Sequence, residues 1–122
     1  MNYWFQSSDY SSVDLDTQSF EYFIDKIENF DHTREKDKLD KLLALEEDNC
    51  PFGFGITGDK GLLHITYDFD NTKIVYQVYE SYEIKKKLLG IFTYSTNDDQ
   101  YSTFETLEEL LNYIKKFDIN NL

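Results

Sequence analysis

The chain has 122 residues, one cysteine, and a net charge of −12 from 12 Lys plus Arg against 24 Asp plus Glu. That length is one domain, residues 1–122, able to bury a core of its own. The charge repels nucleic acid and anionic lipid and favours a basic partner, and the lone Cys50 excludes an internal disulfide.

Tyr3, Trp4 and Phe5 favour a short first strand, followed by a polar connection over residues 7–12. A helix is expected next, capped by Asp14, Asp16 or Thr17, because Phe20, Phe23, Ile24 and Ile27 recur at i, i+3, i+4 and i+7 and Phe30 extends the stripe. The mixed-charge segment DHTREKDKLDK reads as a solvated linker or helical extension. Strands are expected over residues 42–46, 52–57, 62–68, 73–79 and 88–94, joined by the short loops EEDNCP, GDKG, FDN, ESYEIKKK and STNDDQYS. Such connections favour antiparallel meandering over crossovers. The closing helix carries a capping box at Thr106 and Glu109, and its buried stripe is Leu107, Leu110, Leu111, Ile114 and Phe117. The fold class is therefore α+β: an antiparallel sheet of about five to six strands with an N-terminal and a C-terminal helix packed against it.

Gly53, Gly55 and Gly58 fit G-x-G-x-x-G, a pattern that holds phosphate when a helix follows it. Here β-rich residues 62–67 follow, so these glycines belong to a hairpin, with Gly58 and Gly61 expected at positive φ. No catalytic-loop Asp with its Asn, and no D-F-G, supports a kinase. The Asp-rich turn over residues 68–72 opens like a calcium loop, but it has Lys73 where glycine is required and Tyr79 where a bidentate Glu is required. Zinc-ligand spacings are missing. His32 falls in the linker, His64 on a strand face, and Cys50 beside Pro51, with no motif linking a nucleophile to a base. Neither catalysis nor a cofactor nor a metal is expected. The basic run Lys85-Lys86-Lys87 follows Glu80 and Glu83, unlike the basic, aromatic grooves of single-strand binders.

Carboxylates do stand beside aromatic rings in three expected loops: Asp68 and Asp70; Glu80, Tyr82 and Glu83; Asp98, Asp99 and Tyr101. Rings supply desolvated anchors and carboxylates supply charge-assisted hydrogen bonds, so these residues are the expected contacts for a basic protein.

The order of features resembles the first immunity-protein family of bacterial polymorphic-toxin and contact-dependent-inhibition systems. The likeness runs over residues 13–117, through SFEYFIDKIENF, KLLALEED, the glycine-rich FGFGITGDKGLLHITYD and the closing TLEELLNYIKKF. It departs at FDINNL, where that family commonly has a Gly and Pro turn leading to Trp. The resemblance implies a cytoplasmic, non-catalytic protein that neutralises a cognate toxin domain, often a nuclease or nucleic-acid deaminase. Nucleic acid and membrane are not expected as direct partners. No window holds the roughly 18 apolar residues of a membrane span, and MNYWFQSSDYSS lacks the charged and apolar regions of a signal peptide. The alternative is an acidic nucleic-acid mimic of phage or mobile-element origin that blocks a DNA-binding enzyme.

Overall fold

A computed structural model of the chain describes residues 1–71 and 73–122. Six antiparallel strands form one sheet: β1 (Asn2–Gln6), β2 (Ser12–Asp14), β3 (Gly53–Thr57), β4 (Gly61–Asp70), β5 (Lys73–Leu88) and β6 (Phe92–Phe104), in the order β2-β1-β3-β4-β5-β6. The helices are α1 (Phe20–Glu28), α2 (Thr33–Ala44) and α3 (Leu107–Lys115), with a short 3-10 turn at Ile119–Asn121. The α+β architecture read from the sequence is the one observed, and β2 is a strand within what the pattern reads as connection and helix cap.

Strand alternation sends one set of side chains toward the helices. Tyr3, Phe54, Ile56, Leu63, Ile65, Tyr67, Tyr76 and Val78 are buried there against Phe23, Ile24 and Ile27 of α1 and Leu110, Leu111 and Ile114 of α3. The expectation of a ring-built core holds: Phe30 meets Phe54 at 5.0 Å and Tyr67 at 5.4 Å, and Phe52 stacks on Tyr67 at 5.3 Å.

Three local expectations are corrected. The cap of α1 is Ser19, whose hydroxyl accepts from the Tyr22 N–H, because Asp14 is taken into β2 and Thr17 Oγ1 instead accepts from the Ser19 N–H. Residues 31–41 are no linker, and 42–46 no strand. Asp31 accepts from the Thr33 N–H and Lys36 pairs with Asp40 one turn on, so the charged segment winds into α2 and Leu42, Leu43 and Ala44 become its last turn. Gly58 and Gly61 lack the expected positive φ. They are small because neighbours crowd them: a Cβ on Gly58 would stand 2.3 Å from the Leu122 carbonyl oxygen, which accepts from the Lys60 N–H, and one on Gly61 would stand 2.5 Å from the Ser81 carbonyl oxygen. In the Asp-rich turn Asn71 takes φ 59°, and Thr72 lies outside the described residues.

The largest correction concerns residues 80–102. The expected loops ESYEIKKK and STNDDQYS are strand, and the expected strand 88–94 spans the turn of a long hairpin. Exposed polar side chains imitate a loop when a ribbon faces water on both sides.

Phe23 is fully buried, 5.3 Å from the ring of Tyr3 and 6.2 Å from that of Phe54. Phe23→Ala is expected to lower unfolding stability by about 3 to 5 kcal/mol, read by chemical denaturation. An unchanged denaturation midpoint would contradict the packing described for α1.

Candidate interaction face

Among the described residues no helix packs on the second face of the sheet. Register across the strands places Asp14, Trp4, Gly55, His64, Tyr79 and Tyr101 in one row, one residue from each strand. Four of the six are rings. The Trp4 indole lies over Gly55, where a Cβ would stand 2.0 Å from the ring, and it reaches His64 at 4.9 Å while its N–H donates to Thr57 Oγ1 at 2.8 Å. Glycine at 55 is what lets the indole lie flat on the strand. Farther along, Tyr79 meets Tyr101 at 5.0 Å, and Tyr101 is 78% exposed at the outer strand.

Polar groups border this row. Ser81 donates to Asp99 at 2.7 Å, Gln77 to Asp68 at 3.2 Å and Asn2 to Asp14 at 3.1 Å. A cavity of about 100 Å³ opens between His64, Gln77, Tyr79 and Tyr101. A wider cleft of about 490 Å³ lies at Asp59, Lys60, Tyr79, Ser81, Glu83 and Asn97. His64 Nε2 is buried without a protein hydrogen-bond partner, and burial pushes its imidazole below the ordinary value of 6.5.

The contacts read from sequence divide between the two faces. Asp68, Asp70, Glu83, Asp99 and Tyr101 share the bare face with the aromatic row, because their strand positions are in phase with His64 and Tyr79. Glu80, Tyr82 and Asp98 are out of phase and turn to the helix side. Glu80 is 2% exposed and accepts from the Tyr113 hydroxyl at 2.5 Å. Tyr82 is half-buried and stacks on Phe117 at 6.3 Å, so it is a packing residue rather than a free anchor. Burial first, and the Glu80 carboxylate second, raise the Tyr82 phenol above its ordinary range. The same causes raise Tyr113, where the Glu80 effect includes the hydrogen bond. Sequence reasoning missed Trp4, His64 and Tyr79 as members of one surface. The strand alternation around His64 signalled its face, but the neighbours across the sheet depend on register.

The arrangement is a row of rings, three half-buried and Tyr101 exposed, packed on one another and bordered by carboxylates. Among the described residues no group of three or more His, Cys, Asp or Glu side chains is placed to hold a metal ion. No protein-family model, curated protein or solved structure matches the chain.

His64 on one side, and Asp9 and Asp31 on the other, titrate in separate windows. A depressed imidazole contributes stability that is present above pH 6.5 and lost as pH falls through the folded value. Asp9, lowered mainly by hydrogen bonds from Ser11 and Lys38, and Asp31, lowered by hydrogen bonds from Thr33, lose theirs only below 3.8. Denaturation midpoints of the native chain are expected to fall as pH drops below 6.5, and His64→Gln should flatten that limb while leaving the more acidic one. A limb unchanged by His64→Gln would place the sensitivity elsewhere.

Proposed function

We propose that this protein is a non-catalytic inhibitor of the immunity type, which docks its bare sheet face on a basic toxin domain of the nuclease or nucleic-acid deaminase class and blocks it by covering its active surface. The observation that carries the reading is the ring row from Trp4 to Tyr101 on an uncovered face of a chain with net charge −12. Aromatic anchors fixed by neighbours lose little entropy on binding, and carboxylates at the border steer a cationic partner without being buried themselves. Neutralising a toxin inside the producing cell assigns the protein to the cytoplasm.

The distribution of charge favours this reading over nucleic-acid mimicry. Mimicry calls for carboxylates spaced along a face like phosphates. On this face Asp14 stands at one side, and Asp68 with Asp70, and Glu83 with Asp99, border a neutral aromatic centre.

The reading expects a secreted protein with a C-terminal toxin domain in the adjacent reading frame, and that domain is the ligand for stopped-flow binding. Tyr101→Ala should raise the dissociation rate about thirtyfold, the equivalent of about 2 kcal/mol for an anchor. Asp99→Asn with Glu83→Gln should slow association and weaken its salt dependence. Tyr82→Ala should instead lower the denaturation midpoint. Wild-type kinetics in Tyr101→Ala and in Tyr79→Ala would remove the bare face as the interface, and a complex dissolved by duplex DNA would point to mimicry.

A further inference from the structure

The pairing of β5 with β6 outruns the rest of the sheet. β4 supports β5 only as far as Tyr82, whereas β5 and β6 continue together from Glu83 opposite Asn97 to Leu88 opposite Phe92. Six further residue pairs at about 3.3 Å each make a two-stranded arm roughly 20 Å long.

Its chemistry changes in order along its axis. At the root stand Glu83, Asp98 and Asp99. Lys85, Lys86 and Lys87 come next, with Lys85 and Lys87 on one face of the ribbon and Lys86 on the other beside Tyr94. The end is apolar: Leu88, Leu89, Ile91 and Phe92 are 54%, 83%, 79% and 64% exposed. Leu89 takes φ 56° ahead of Gly90 at 72°, a left-handed conformation that turn chemistry assigns to Asn, Asp or Gly. A large apolar side chain there costs local stability and solvation alike, and among the described residues nothing covers it.

We propose that this arm is a membrane-contact device, which inserts the Leu88–Phe92 turn end-on into the surface of an anionic phospholipid bilayer. The lysines point to an anionic surface. Here both faces carry lysine and the apolar groups are gathered at the end, as a flat interface requires: apolar residues below the headgroups, lysines and a tyrosine at headgroup level, carboxylates withdrawn into water. With the lysines at headgroup level, Glu83 stands two to four residues behind them, roughly 7 to 13 Å at about 3.3 Å per residue, so the repulsion of the acidic body is weakened by about one screening length of ~8 Å at physiological salt. The contact needs no membrane-crossing helix, and among the described residues no helix is long and apolar enough to cross.

Vesicle co-sedimentation tests this, using phosphatidylcholine alone and phosphatidylcholine mixed with phosphatidylserine. The chain should sediment with the mixed vesicles. Leu89→Ser combined with Ile91→Ser should abolish this while keeping the native denaturation midpoint, since both side chains are exposed. Replacing Lys85, Lys86 and Lys87 by Gln should weaken binding by about fivefold per lysine and erase the preference for phosphatidylserine. A native chain that stays in the supernatant with both vesicle types overturns the proposal. So does a concentration-dependent dimer that dissociates in the Leu89→Ser, Ile91→Ser variant without vesicle binding, because the tip would then be a contact between copies.

Discussion

The pairing of β4 with β5 governs what this protein presents to its surroundings. His64 opposite Tyr79 and Ile65 opposite Val78 are consecutive pairs of one ladder, and they face opposite ways. A slip of one residue would exchange the faces, sending Val78 to water and Tyr79 into the core. The register is held by the burial of Leu63, Ile65, Tyr67, Tyr76 and Val78 under α1 and α3. The aromatic row on the bare face is thus a product of the hydrophobic packing on the other one.

Covering the sheet on one side also explains the unequal fates of its acids. Glu80 falls on the covered face and is kept there by the Tyr113 hydroxyl, with Tyr82 and Phe117 stacked beside it. A buried carboxylate needs such a donor, because an unpartnered one costs far more than its hydrogen bond returns. Asp99, one strand over and facing the other way, is exposed and accepts from the Ser81 hydroxyl. Chemically similar side chains a few ångströms apart thereby become a structural bond and a free surface charge.

The same two strands carry the arm, so Tyr79 and Tyr101 of the bare face are joined to the apolar tip by one continuous ladder. Its root is secured on the covered side by Tyr82 against Phe117, and on the β4 side by the Glu83 N–H bonding to the Lys60 carbonyl at 2.7 Å. Beyond that point the ribbon has only its own ladder.

Local physics made several features legible in the sequence: the stripes of α1 and α3, the Thr106 cap, the β3–β4 hairpin and the α+β class. Each depends on residues within one or two turns of one another, where periodicity and capping act directly. Leu42–Leu45 misled because a short apolar run suits helix and strand equally, and only the charged turns ahead of it, wound into α2, decided the matter. Glu80, Tyr82, Asp98 and Asp99 were recognisable as acids and rings but not as belonging to opposite faces. That assignment depends on long-range register, and the register depends on which side of the sheet the helices cover. The row of Trp4, Gly55, His64, Tyr79 and Tyr101 draws on five strands spread over about a hundred residues, and no local pattern contains it. The sequence by itself determined which segments could be helix or strand and that the surface would be acidic; the tertiary structure alone decided which side chains met, because each meeting required a backbone pairing selected by the burial of the others.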